Sequence, residues 1–203
     1  MKLPKIRELI EAIKALIIGP YTSKFPKKPH VPYSSFRGQP KFNDKKCIGC
    51  LACEQVCPVN AIDHIDSTNS TTPKRTLLHY TDTCIFCGEC EANCISDHEG
   101  IKLSNDWDLA FFDRKKSHET IEKELQLCEI CGSVIACKDH LTWIAEKIGE
   151  LTYSNPTLYQ TRLEKLGIID SNLLKVIKDK GRSNRMQILC AKCRRETTLT
   201  TEE

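Results

Sequence analysis

The sequence lacks any long apolar run and any recognisable export signal. The longest apolar run near the start covers only residues 15–18, far too short to span a bilayer. No apolar core of signal length, small-residue cleavage site or twin arginine is present. We therefore expect a cytoplasmic protein that has no transmembrane helix of its own.

Nucleotide-binding motifs are also missing. The sequence contains neither a phosphate-binding P-loop nor a glycine-rich dinucleotide fingerprint. No pairing of a nucleophile with a general base is evident, so we assign no catalytic residue. These absences argue against an enzyme that acts on a substrate directly.

Cysteine, in contrast, is abundant, with 13 residues in a chain of 203. Such a number indicates either a secreted disulfide scaffold or intracellular metal thiolates. Because the cysteines are clustered and no secretion signal accompanies them, metal thiolates are favoured.

Eight of these cysteines form two runs with the spacing C-x2-C-x2-C-x3-C, which is typical of bacterial ferredoxins with four-iron clusters. In a paired arrangement, the fourth cysteine of each run ligates the cluster of the other run. Zinc is the alternative for C-x2-C pairs, but two crowded runs would hold zinc only in awkward geometry. The expected ligand sets are Cys47, Cys50, Cys53 and Cys94 for the first cluster, and Cys84, Cys87, Cys90 and Cys57 for the second.

The two runs repeat at an offset of 37 residues, which predicts two related halves, each with a short strand, a cluster loop and a short helix. Strands are expected at residues 61–65 and 77–80, joined by a polar tip at 66–74. We expect Ile48, Ile85 and Phe86 to cover the clusters. His64 and His79 are expected to be exposed or strand-paired rather than to be ligands.

The N-terminal region carries the basic excess, because residues 1–46 hold 11 lysines and arginines against three acidic residues. Apolar residues recur at helical spacing over residues 3–18, which predicts an amphipathic helix that ends at Gly19-Pro20. This helix could pack on its own domain or lie at a membrane surface or against membrane subunits. Residues 20–46 hold five of the nine prolines, which predicts an extended arm.

The C-terminal region is predicted to be mostly helical. We expect a strand at residues 107–112 and helices at 117–125, 138–148, 155–166 and 171–180. Two C-x2-C pairs, separated by 58 residues, can bring four thiolates into a tetrahedron that suits zinc or a single rubredoxin-like iron. The predicted metal ligands are Cys128, Cys131, Cys190 and Cys193.

Two alternatives to this metal site stay open. The first is a site made of Cys128, Cys131, Cys137 and His140, whose members lie closer in sequence. The second is that the four cysteines of the two pairs are unmetallated thiols.

The order of these features resembles a known family. A basic arm with Phe-Arg-Gly-Gln-Pro at residues 36–40 is followed by the two cysteine runs, then by Ile-Lys-Leu-Ser at 101–104 and Asp-Leu-Ala at 108–110. This arrangement is similar to the two-cluster ferredoxin subunit of the complex I and membrane-bound nickel–iron hydrogenase superfamily. The tail resembles the formate hydrogenlyase and energy-converting hydrogenase branch, and the Cys190 and Cys193 pair belongs to that resemblance.

One departure from the family pattern follows Cys94. Members usually have proline after the last cysteine of both runs, whereas this chain has Pro58 in the first half and Ile95 in the second. The second half also uses two more residues before its next strand. We expect the turn after Cys94 to differ from the turn after Cys57.

The resemblance implies an α+β protein with four parts: an amphipathic helix (1–19), an extended basic arm (20–42), a ferredoxin domain with two 4Fe-4S clusters (43–116), and a C-terminal metal-knuckle domain (117–203). It implies an electron relay between a donor subunit, such as formate or CO dehydrogenase or a ferredoxin, and the hydrogenase small and large subunits. Membrane subunits would be further partners, at the cytoplasmic face of the membrane.

Two rival functions are retained. The same relay could serve a respiratory quinone reductase of the complex I type. A protein of another class would use structural clusters as staples and bind partners or nucleic acid through its basic N-terminal region, although no nucleic-acid recognition fold accompanies that region.

Overall fold

The computed structural model describes residues 5–19, 22, 25, 27–169 and 186–199, and the chain divides into two compact units, 1–36 and 37–203. The mixture of helices and sheets confirms the broad class predicted from the sequence. In chain order the elements are α1 (Ile6–Ile18), β1 (Pro40–Phe42), α2 (Ala52–Gln55), β2 (Ile62–Ser67), β3 (Lys74–Tyr80), α3 (Glu89–Ala92), β4 (Ile101–Leu103), β5 (His118–Leu127), β6 (Val134–Cys137), α4 (Lys138–Ile148), α5 (Pro156–Lys165) and α6 (Ala191–Leu199).

Helix α1 is the regular element of the first unit, and it confirms the helix predicted there. The Glu8 carboxylate accepts a hydrogen bond from the Lys5 backbone N–H at 3.1 Å, which satisfies a donor at the helix start. Gly19 follows the helix with φ of 84°, a value that glycine adopts without strain. The apolar side chains of α1 are exposed throughout.

The second unit is built from two antiparallel sheets. Strands β1 and β4 form a two-stranded sheet, and the other four strands form a sheet in the order β2-β3-β5-β6. The strands predicted near 61–65 and 77–80 are found as β2 and β3, which pair with Ile62 opposite His79. Helices α2 and α3 are related by the same 37-residue offset as the cysteine runs, as the repeat predicts.

The turn after Cys94 differs from its counterpart, as expected from the sequence. In the first half, the Asn60 N–H donates to the Cys57 carbonyl at 3.4 Å, whereas in the second half the His98 N–H donates to the Cys94 carbonyl at 3.2 Å. Both Asp97 and His98 have positive φ, at 51° and 57°. The longer turn therefore absorbs the two extra residues before β4.

Two secondary-structure predictions are wrong. Residues 117–125 were predicted as a helix, but most of this segment belongs to β5, whose residues 118–124 pair with β3. Residues 107–112 were predicted as a strand, but they form no regular element. The β3–β5 pairing also places strands from both sides of residue 116 in one sheet.

Two of the predicted C-terminal helices are confirmed as α4 and α5. The Asn155 side chain accepts a hydrogen bond from the Thr157 N–H at 3.1 Å, with Pro156 in the first turn, which explains the start of α5. The helix predicted at 171–180 lies outside the described residues. The domain boundaries at 19, 42 and 116 stay predictions.

Candidate functional site

The first cysteine-lined cavity is partly open to solvent and has about 320 Å³ of space between its atoms and at its mouth. Its four cysteines are Cys47, Cys50 and Cys53 from the first run and Cys94 from the second. Apolar groups supply most of the remaining lining, including Ile48 as predicted. The other lining residues are Phe42, Leu51, Ala52, Leu77, Ser96, Gly100 and Ile101.

The second cavity has nearly the same size, about 330 Å³. Cys84, Cys87 and Cys90 from the second run line it, together with Cys57 from the first. Ile85 and Phe86 contribute to the wall, as predicted for covering residues. The wall is completed by Pro40, Val59, Ala61, Ile62, His79, Gly88 and Glu89.

The structure thus brings together the same two crossed sets of four cysteines that the spacing predicts. The crossing follows from the repeat, since each run wraps around one cavity while its last cysteine reaches the other. Strand residues that correspond across the repeat also line corresponding walls: Phe42 with His79, Leu77 with Pro40, and Ile101 with Ile62.

Left-handed backbone positions shape both cysteine loops. Leu51 and Gly88 correspond in the repeat and have φ of 68° and 86°, and Gly49 and Phe86 correspond with φ of 69° and 54°. Such residues reverse the chain sharply, so that successive N–H groups can turn toward one point. The Phe86 N–H donates to Cys84 Sγ at 3.4 Å in this way.

The donor chemistry of both cavities fits a four-iron cluster. Burial raises the pKa of the Cys53 thiol strongly and raises that of Cys90 to about 11, so these sites hold thiolates at neutral pH only when a cation compensates them. The Ala61 N–H donates to Cys57 Sγ at 3.2 Å. Four convergent thiols in an apolar wall are the donor set that such a cluster takes.

Two basic side chains lie beside the first cavity, and sequence reasoning did not identify them. Arg75 is buried and donates a hydrogen bond to the Gly49 carbonyl at 3.1 Å. It also donates to both Asp66 carboxylate oxygens, at 2.7 and 2.8 Å. Burial raises the pKa of the Cys50 thiol, and the charge of Arg75 opposes that rise. Burial likewise raises the pKa of Cys47, and there the charge of Lys123 opposes the rise. Alternation along β3 and β5 was the available signal for their burial.

The two histidines of the ferredoxin region differ from each other. His64 is partly exposed, and its Nδ1 lies 2.7 Å from a Glu54 carboxylate oxygen. His79 is strand-paired, as allowed for in the prediction, but it is fully buried. Burial lowers the pKa of His79 to about 4. Its correspondence with Phe42 in the repeat could have indicated a place in the cavity wall.

A third cysteine site lies in the C-terminal part of the second unit. The Sγ atoms of Cys128, Cys131, Cys190 and Cys193 all lie within 4.8 Å of one another. Cys128 follows β5, and its N–H donates to the Ser133 carbonyl at 2.9 Å in a tight turn. Cys190 immediately precedes α6, and the Cys193 N–H donates to Cys190 Sγ at 3.4 Å.

The alternative set with Cys137 and His140 is not assembled in the described residues. Cys137 points to the first cluster loop instead, where its thiol donates to the Gly49 carbonyl at 3.5 Å.

Hydrogen bonds from Ser133 lower the pKa of Cys131 to about 6, whereas the neighbouring Cys131 sulfur raises that of Cys193 to about 12. Four thiols this close can hold one tetrahedral metal ion.

Comparison with known proteins finds an iron–sulfur domain over the stretch that holds the two cysteine runs. A family model described as a 4Fe-4S dicluster domain matches residues 46–98. NAD(P)H-quinone oxidoreductase subunit I of Gloeobacter violaceus is 33% identical over 100 residues, which cover 47% of this chain and 46% of that protein. The chain therefore spans about half the length of this relative.

A second relative extends farther along the chain. Formate hydrogenlyase subunit 6 of Escherichia coli is 32% identical over 132 residues, which cover 64% of this chain and 70% of that protein. Among solved structures, a chain of the membrane-bound sulfane sulfur reductase, an archaeal respiratory membrane complex, is 27% identical, with 58% of this chain and 61% of that chain covered and a TM-score of 0.38.

Proposed function

The chain belongs to the family of complex I-type ferredoxin subunits, and we propose that it is the two-cluster electron relay of a membrane-bound nickel–iron hydrogenase of the formate hydrogenlyase or energy-converting type. The observation that carries the relay is the pair of cavities, each lined by four cysteines in a crossed arrangement. Bound four-iron clusters supply one-electron redox chemistry at these two places.

The role of the protein itself is to bind the two clusters, to limit the access of water to them and to influence their reduction potentials. Crossed cysteines tie the two halves together, because each site takes ligands from both. The apolar walls limit the access of water, which influences the reduction potential. The Arg75 guanidinium donates to the Gly49 carbonyl in the loop of the first site and is paired with the Asp66 carboxylate, which holds that loop against the β2–β3 hairpin.

The hydrogenase branch is proposed on the extent of one match. Similarity to formate hydrogenlyase subunit 6 covers 64% of the chain, whereas similarity to the quinone oxidoreductase subunits I of Gloeobacter violaceus and Geobacter metallireducens covers 47 and 57%. The expected partners are the hydrogenase small and large subunits, an electron-donor subunit, and membrane subunits at the cytoplasmic face.

Purification of the complex from native membranes, with a tag on this chain, tests that assignment. We expect mass spectrometry to find nickel–iron hydrogenase subunits together with a formate or CO dehydrogenase, or with subunits that accept electrons from a ferredoxin. Finding quinone-reductase subunits in their place would contradict the hydrogenase assignment and leave the relay itself standing.

Helix α1 is proposed as the contact with the membrane surface or membrane subunits. No helix in the described part of the chain is long and apolar enough to cross a membrane. The α1 stripe includes Ile6, Leu16 and Ile17, which are 79, 86 and 80% exposed, and exposed apolar stripes of this kind bind at interfaces.

Deleting residues 1–19 is expected to release the subunit from membranes, because this removes the exposed stripe, while both clusters are retained. The measurement is the distribution of the protein between membrane and soluble fractions, with iron content as a check. A matched control, Glu8→Gln with Glu11→Gln, changes only the polar face and should leave the protein bound. Membrane retention of the deletion variant would count against this role.

The four-thiol group is proposed to bind one structural zinc, or a single rubredoxin-like iron, which cross-links the two C-x2-C pairs. We expect Cys190→Ser to lose this extra metal, since it removes one of four converging ligands, whereas His140→Ala should keep it. Metal analysis of both variants provides the measurement. Loss of the metal from the His140→Ala protein alone would favour the other ligand set, and absence of extra metal from the unaltered protein would favour free thiols.

A further inference from the structure

His79 is a buried imidazole without a partner in the wall of the second cavity. The side chain is fully buried and lines the cavity together with Cys57 and the three cysteines of the second run. Within the described part of the chain, neither Nδ1 nor Nε2 of this ring has a hydrogen-bond partner. Buried polar side chains are normally paired, so this imidazole indicates a partner that belongs in the cavity.

The first cavity shows which residue stands at the corresponding position. At the 37-residue offset His79 corresponds to Phe42, which lines the first cavity. The other strand residues that correspond in the two walls, Pro40 with Leu77 and Ile62 with Ile101, are apolar in both halves. Phe42 shows that an apolar side chain can fill this position of the cavity wall. His79 places a hydrogen-bonding ring at the corresponding position of the second half.

Two carboxylates lie near His79. Glu119 stands opposite His79 in the β3–β5 ladder, and one of its carboxylate oxygens accepts from the Phe42 N–H at 3.1 Å. Its other oxygen, Oε2, is buried, and within the described residues it has no hydrogen bond to His79 or to any other group. Glu89, which also lines the cavity, accepts from the Asn93 side chain at 3.1 Å. An imidazole ring carries one N–H donor when neutral and two when protonated, so His79 offers a donor to the cavity in either state.

We propose that the His79 ring N–H donates a hydrogen bond to a sulfur of the second cluster or of its cysteine ligands, and thereby raises the reduction potential of that cluster. This inference rests on the proposed function, because it requires a cluster in the cavity. Donors to the sulfurs offset the extra negative charge of the reduced state. The two relay sites therefore differ at this position, because the first site has Phe42 there.

The first test is the variant His79→Phe, which gives the second cavity the same residue type that the first cavity has at the corresponding position. A redox titration followed by electron paramagnetic resonance should show the equilibrium constant for reduction of the second cluster falling about tenfold, which is about 59 mV for one electron. The first cluster should keep its potential. His79→Gln retains an N–H donor and should restore part of the loss, while His64→Phe, on the neighbouring strand and outside both cavities, should change neither potential.

The second test uses the unaltered protein with ¹⁵N-labelled histidine. Electron–nuclear double resonance of the reduced second cluster should show a ¹⁵N coupling and an exchangeable proton. The ¹⁵N coupling should disappear in His79→Gln, and both signals should disappear in His79→Phe. Absence of the histidine coupling from the unaltered protein would overturn the proposal, as would an unchanged potential in His79→Phe with both clusters present.

These outcomes are separable from failure of the proposed function. A protein that contains neither iron nor acid-labile sulfide refutes the relay itself. A protein with both clusters but without the histidine coupling refutes only the role of His79. If His79→Phe fails to retain its second cluster, the labelled, unaltered protein still decides the question.

Discussion

Replacing Cys94 by alanine is expected to abolish the cluster of the other cysteine run and to leave the cluster of its own run in place. Cys94 lines the first cavity with Cys47, Cys50 and Cys53, although it belongs in sequence to the second run. The unaltered protein should contain about eight iron and eight sulfide per chain, and the variant about four of each.

Cys57→Ala is the matched variant, because Cys57 occupies the corresponding position and lines the second cavity. It should lose the cluster that Cys94→Ala retains. Iron and sulfide analysis, together with electron paramagnetic resonance of the reduced proteins, measures both effects. Two intact cluster signals in Cys94→Ala, or the same surviving signal in both variants, would contradict the crossed assignment.

The turn after Cys94 makes this residue the more demanding of the two tests. Ile95 stands where the first half has proline, and the turn is fixed by the Ser96 hydroxyl, which donates to the Lys46 carbonyl at 2.5 Å. A Cβ added to Gly100 would lie 3.0 Å from the Cys94 sulfur, so the chain passes close behind this ligand. The altered turn therefore still delivers Cys94 to the first cavity.

The cysteine geometry could be predicted from the sequence because the motif encodes it locally. Cysteines separated by two residues on a sharply turned loop point toward a common centre. The 37-residue repeat relates the two halves to each other. The same reasoning found the group formed by Cys131 and Cys190, even though 58 residues separate them in sequence. Metal-binding motifs carry their chemistry in their spacing.

The strand β5 could not be predicted in this way. Its buried residues Ile121 and Leu125 are four apart, which suits a helix face as well as a strand, and its glutamates and lysines favour helices. The outcome was decided by pairing with β3, where Leu77 lies opposite Ile121, and such distant pairing is invisible to a local pattern.

The surroundings of the cavities were likewise beyond local reasoning. Arg75 lies in a polar-looking stretch of sequence, yet it is buried because Asp66, nine residues earlier, faces it across the β2–β3 hairpin. His79 was expected to be unremarkable among strand residues, but its register in β3 directs it to the second cavity. Register and burial of this kind arise only when the whole sheet is assembled.

The Arg75–Asp66 pair yields the last prediction, in which Asp66→Asn lowers stability by about 3 kcal/mol because a buried guanidinium loses its counter-charge. The Arg75 side chain is only 9% exposed, and its hydrogen bonds hold the pKa of Asp66 below the ordinary value. The neighbouring pair Lys74–Glu122 provides the control. Its side chains are 46 and 58% exposed, so Glu122→Gln should lower stability far less than Asp66→Asn does.

A double-variant cycle distinguishes this charge effect from a general disturbance of the hairpin. In Asp66→Asn with Arg75→Met no unpaired charge is left, so the double variant should be more stable than Asp66→Asn alone. The measurement is the urea concentration at which each cluster signal is lost under anaerobic conditions, and the first cluster should be lost earlier than the second, because Arg75 also holds the Gly49 carbonyl of the first loop. Strictly additive effects of the two substitutions would show that the ion pair contributes nothing of its own.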